Sequence, residues 1–87
     1  MATTVTVTRS PDDDNVGVRI DEAKLSFANG KAQLDVEAGS HPLEYAVALP
    51  PGTSVDLAIT APANAAWSRT QSVDDSGFLA GFQDFDV

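Results

Sequence analysis

The chain contains no cysteine. That excludes disulfide staples, thiolate zinc sites, iron–sulfur clusters and cysteine nucleophiles, and it fits a reducing compartment, so a cytoplasmic location is the expectation. Large aromatic groups are sparse: four Phe, one Trp and one Tyr. Basic side chains are also scarce, five against thirteen acidic ones, for a formal charge of −8. Such a surface repels nucleic-acid backbones and anionic membranes, and it steers a basic protein surface toward itself. The same charge keeps a small protein soluble. No run approaches the roughly 18 apolar residues of a membrane span. The start, Met1-Ala2-Thr3-Thr4, has neither the basic nor the apolar region of a signal peptide. With one histidine and no cysteine, zinc lacks ligands.

What is present is alternation. Asn29-Gly30 favours a two-residue hairpin loop, because both central positions need positive φ. With that loop, Phe27 faces Ala32, Leu25 faces Leu34 and Ala23 faces Val36, while Ser26–Gln33 and Lys24–Asp35 form the wet side. Thr4–Arg9 alternates with Val5 and Val7 inward, and Val16, Val18 and Ile20 share one face of the next segment. Leu43, Tyr45, Val47 and Leu49 alternate in turn, as do Val55, Leu57 and Ile59. These two segments form either a hairpin with an odd-length loop or strands of different sheets joined by an arch. Pro62 limits Ala61–Ala66 to a single helical turn. Trp67–Gln71 reads as a short strand. In the tail, Phe78 and Phe82 share one parity while Phe85 and Val87 take the other, which calls for a bulge near Gly81 or burial on both sides.

The expected fold is a small all-β antiparallel sandwich of seven or eight short strands over residues 1–87, with a small barrel as the alternative. Its rhythm resembles that of immunoglobulin- and fibronectin-like sandwiches, in architecture only. No helix is long enough for a βαβ crossover, which excludes doubly wound nucleotide-binding folds. A domain this small has a thin margin of stability, so a homo-oligomer is physically attractive.

Chemistry is harder to find. His41 is the only histidine, no Gly-x-Ser-x-Gly elbow is present, and a chain this short rarely builds an enclosing cleft, so no enzyme is expected. Asp12 and Asp14, with Asp74 and Asp75, place oxygen ligands in two loops that could hold calcium if they converge, although adjacent aspartates more often cap turns. The loop is not an EF-hand, and no other cofactor is implied. Asp84 and Asp86 lie about 7 Å apart on one strand face, close to the spacing of successive phosphates; the ordinary wet face of a strand produces the same pattern. Tyr45 reads as core with its hydroxyl at the rim. Trp67 either caps the open end of the core or, beside Arg69 and Asn64, forms a sugar-stacking or interface platform. The expectation is a non-catalytic acidic binding or accessory protein with a protein partner, a basic one by charge. A self-associating protomer, a carbohydrate-binding module and a nucleic-acid mimic are the alternatives.

Overall fold

The computed structural model describes residues 2–87. Its strands are β1 (Ala2–Ser10), β2 (Val16–Ile20), β3 (Ala23–Lys24), β4 (Lys31–Glu37), β5 (Ser40–Ala48), β6 (Ser54–Ala61), β7 (Trp67–Ser72) and β8 (Phe78–Asp86). They form two four-stranded sheets, ordered β4-β1-β6-β7 and β3-β2-β5-β8, and every pairing is antiparallel. The result is a β-sandwich, and a 3₁₀ turn at Ala63–Ala65 is the one helical element among the described residues.

Period-two patterning decides which side chains enter. Val5 and Val7 of β1, Val16, Val18 and Ile20 of β2, Leu43 and Val47 of β5, and Val55 and Ile59 of β6 are buried essentially completely. They meet between the sheets with Leu25, Val36, Tyr45, Leu57, Val73 and Phe85. Charged residues of the same strands, such as Arg19, Glu44 and Asp56, alternate with them and stay in water. Burying each aliphatic side chain contributes about 1.5–3 kcal/mol, which is the main force holding the sheets together.

Asn29-Gly30 does make the tight turn, with φ of 54° and 75°, and Ala28 and Lys31 exchange backbone hydrogen bonds of 2.9 and 3.1 Å. The arms beyond it do not pair. Leu34 lies opposite Val5 of β1, while Leu25 stays with β2, donating its N–H to the Val18 carbonyl at 3.0 Å. The chain crosses from one sheet to the other at this turn. Both leucines still reach the core, Leu34 only partly. β1 offers seven paired positions to β4, more than the short Ala23–Phe27 arm could supply, and it wins the competition. β5 and β6 likewise lie in different sheets, so the arch is the arrangement adopted.

Asp21-Glu22 is the two-residue loop of a β2–β3 hairpin, with φ of 52° and 69°. Left-handed backbone costs a non-glycine residue roughly 1–2 kcal/mol. Glu22 is exposed. Glu22→Gly creates the favoured Asp-Gly dipeptide of this turn and is expected to raise stability by about 0.5–1 kcal/mol, read as a higher urea midpoint with an unchanged slope.

Candidate functional site

Four strands form the sheet edges, and three of them are blunted in different ways. β3 is only two residues long. β4 presents Lys31, Asp35 and Glu37. β7 is a short polar strand, Trp67-Ser-Arg-Thr-Gln-Ser72, with Thr70 bonded to Asp56. β8 is nine residues long and contains the uncharged run Phe78-Leu-Ala-Gly-Phe-Gln83. Phe78 and Phe82 are 53% and 65% exposed, the two large apolar side chains left in water among the described residues.

Register explains that exposure. β8 pairs with β5 without a bulge, from Ser40 opposite Asp86 to Ala48 opposite Phe78. Odd-numbered Leu79, Gly81, Gln83 and Phe85 therefore face inward, and even-numbered Phe78, Ala80, Phe82, Asp84 and Asp86 face outward. Neither a bulge nor two-sided burial reconciles the two parities; the strand buries one set and exposes the other.

The backbone follows the same alternation. Gly39 and Val87 exchange hydrogen bonds of 3.0 Å in both directions, and Leu49 donates to the Gly77 carbonyl at 3.2 Å. Odd residues of β8 thus turn their N–H and C=O groups to β5, and even residues turn theirs to the open edge. The Ser76 hydroxyl accepts from the Phe78 N–H at 3.2 Å, and the Gln83 amide donates to the Asp84 carbonyl at 3.1 Å. Ala80 and Phe82, between them, present both groups to solvent.

Beside this edge, the outer face of the sheet is recessed. A row of small residues, Gly17, Ala46 and Ala80, crosses β2, β5 and β8; the next row is Arg19, Glu44 and Phe82. Together they line a shallow groove with Lys24 at its far side and Asp84 at its near end. Its apolar wall is Phe82.

On the inner side, β8 is fixed by a polar cluster that closes the sandwich laterally. Tyr45 is buried and donates its hydroxyl to Gln71 Oε1 at 2.8 Å. Arg69 donates to the Tyr45 oxygen at 3.0 Å and to Gln83 Oε1 at 3.3 Å. The Arg69 guanidinium lies 5.3 Å over the Trp67 ring, which is half-buried and packed on the core. This consumes ring area on which a sugar would stack. Asn64 sits exposed in the 3₁₀ turn. Arg69 and Trp67 thus come together, with Arg69 acting as a strut between sheets.

The two aspartate loops do fall at one end of the sandwich. Ala48 donates to the Asn15 carbonyl at 3.0 Å, and Gly52 donates to the Val73 carbonyl at 2.8 Å. Within the loops, however, Asp12 and Asp14 are ion-paired to Arg9 at 2.8 and 3.7 Å. Asp74 accepts hydrogen bonds from the Ser76 N–H and hydroxyl, which lower its pKa from the usual carboxylate value, and Asp75 is exposed. No three His, Asp or Glu side chains form a group that could hold a metal among the described residues.

His41 lies within β5. Its Nε2 meets the Glu37 carbonyl at 2.6 Å and its Nδ1 meets Asp21 Oδ2 at 2.5 Å, which suits an imidazolium donating from both nitrogens. The Glu37 carbonyl chiefly raises its pKa above the ordinary value, partial burial opposes this, and Asp21 adds to the rise. A ring so engaged offers no free lone pair to a substrate. Because the folded-state value is the higher one, this clamp contributes fully below the ordinary histidine value, about 6.5, and its contribution is lost as pH rises through the folded value. Urea midpoints should therefore decline across that interval in the parent chain, and His41→Gln should remove that part of the decline.

The sequence signal for the β8 surface is a pair of phenylalanines of one parity followed by a phenylalanine and a valine of the other, which marks the 82–87 tail as an edge able to pair with a neighbour; the exposed side chains, however, are Phe78 and Phe82, not Phe85. Comparison with protein-family models, with curated proteins and with solved structures returns no match to this chain.

Proposed function

We propose that this chain is a non-catalytic binding domain that holds a protein partner on the open edge and outer face of β8. The exposed pair Phe78 and Phe82, on an edge whose central backbone groups are unpaired, carries this reading. Edge strands of this kind template pairing with another chain, and natural sheets usually blunt them. Burying what remains open of each phenylalanine would contribute about 2 kcal/mol, and strand addition supplies backbone hydrogen bonds that fix register. The charge of −8 favours a partner with a basic surface.

Site-specific photo-crosslinking in intact cells tests this. A benzophenone amino acid replaces Phe82 in one variant and Gln33, on the opposite β4 edge, in another. Adducts with a foreign protein from position 82 but not from position 33 are expected. Absence of adducts at 82, or equal yields at both positions, contradicts the proposal. Adducts with a second copy of the chain alone would instead establish a self-associating protomer.

A further inference from the structure

We infer that the occupant of β8 is an extended segment of basic–apolar pattern, added antiparallel to the strand; this rests on the docking reading above and specifies its partner. Three observations select it. The outer side chains of β8 run apolar, small, apolar, acidic, acidic: Phe78, Ala80, Phe82, Asp84, Asp86. The backbone groups of Ala80 and Phe82 point to the open edge, so an added strand hydrogen-bonds at those residues and places its own side chains opposite the same row. The apolar window is closed at its other end by Asp74 and Asp75 in the preceding turn.

An acid–apolar–acid frame discriminates against a second copy of this chain. With a two-fold axis through Ala80, Phe78 faces Phe82 of the second copy, but Asp84 and Asp86 then overrun the end of its β8 toward the turn that carries Asp74 and Asp75. Moving the axis to Phe82 sets Asp84 and Asp86 against Ala80 and Phe78 of the second copy. An axis at Gly81 sets Asp84 against Phe78 of the second copy. Acidic groups brought together, or carboxylates against apolar side chains, destabilise all three registers. A strand that reads basic, basic, apolar, small, apolar from its N-terminus meets neither obstacle. Its cations lie opposite Asp86 and Asp84, and its β-branched side chains lie opposite Phe82 and Phe78. Aromatic and β-branched residues are a favourable cross-strand pair.

The probe is a synthetic peptide of the same nine-residue length as β8, Lys-Thr-Lys-Thr-Val-Thr-Ala-Thr-Val, titrated into the full chain while the backbone amides are followed by NMR. Binding is expected to slow hydrogen exchange at Ala80 and Phe82, and to weaken as salt is raised. Replacing both lysines of the peptide by glutamates should weaken binding at least about tenfold, as should Phe82→Ser, which alters only an exposed side chain. Asp84→Asn with Asp86→Asn should weaken it roughly three- to tenfold. No binding, equal binding of the glutamate peptide, or binding that leaves the Ala80 and Phe82 amides unchanged overturns the inference. So does slowing of those amides with rising protein concentration in the absence of peptide, which would make the occupant a second copy. Crosslinks from position 82 to a foreign protein, obtained alongside a failed titration, would remove this inference and leave the docking reading in place.

Discussion

Gly81→Ala is expected to destabilise the chain by about 2–3 kcal/mol, the upper part of the range for overpacking a filled site. The cause is local. Gly81 pairs with Tyr45, and the tyrosine ring lies across the glycine. A Cβ at position 81 would sit 2.7 Å from the Tyr45 Cζ and closer still to its hydroxyl oxygen. The ring cannot swing away cheaply, because its hydroxyl is bonded to Gln71 and Arg69. Tyr45→Phe alone should cost about 1 kcal/mol through those lost bonds. In the double variant the two losses should sum to less than their separate values, since the colliding oxygen is gone. Gly17→Ala is the control. Its Cβ would meet the Ala46 carbonyl at 3.5 Å, an ordinary contact, and a near-neutral change is expected. Urea midpoints of the four variants check all of this, and equal effects of Gly17→Ala and Gly81→Ala would contradict it.

Arg9→Ala is expected to cost a similar amount, about 2–3 kcal/mol, and for reasons that go beyond charge. The Arg9 side chain is only 8% exposed. Its guanidinium donates to the Val16 carbonyl at 2.8 Å and to Asp12 at 2.9 Å, and it lies 4.3 Å over the Phe27 ring. The Arg9 backbone N–H reaches the Gly30 carbonyl at 2.9 Å. One residue therefore ties the end of β1 to the start of β2 and to the crossing turn. Removing it leaves the Val16 carbonyl without this donor and uncovers Phe27. Asp14 is fully exposed and Asp12 is 43% exposed, so the purely ionic share is small. Most of the loss should accordingly persist in roughly 1 M salt, where the Debye length is about 3 Å. A difference that vanished in salt would show that surface charge alone was at work.

Strand positions and inward faces were legible in the sequence, because alternation of Val, Leu and Ile with charged residues has one reading on a pleated surface. Tyr45 was placed correctly for the same reason. Partner choice was not legible. The Asn29-Gly30 turn specifies its own backbone, yet it does not decide whether Leu34 lies beside Leu25 or beside Val5, since both are apolar neighbours of the right parity. Nor does Asp21-Glu22 look like a left-handed hairpin loop by propensity. Tertiary pairing of β2 and β3 imposes that conformation on it. At the candidate site, the opposed parities of Phe82 and Phe85 announced that one aromatic must face outward, but a preference for burying every phenylalanine hid the consequence. Trp67, the single tryptophan, and the nearby Arg69 suggest a recognition platform by residue type, while in the structure Arg69 bridges the sheets with its guanidinium over the Trp67 ring.

Everything proposed for β8 depends on its even-numbered residues turning their backbone to an open edge. Amide hydrogen exchange of the free chain at low concentration reads this residue by residue. Ala80 and Phe82 should exchange nearly as fast as unstructured amides, while Gly81, Gln83 and Phe85 are slowed by their bonds to β5. Slow exchange at Ala80 and Phe82 in the dilute chain, matching that of their odd-numbered neighbours, would mean that the edge is already paired.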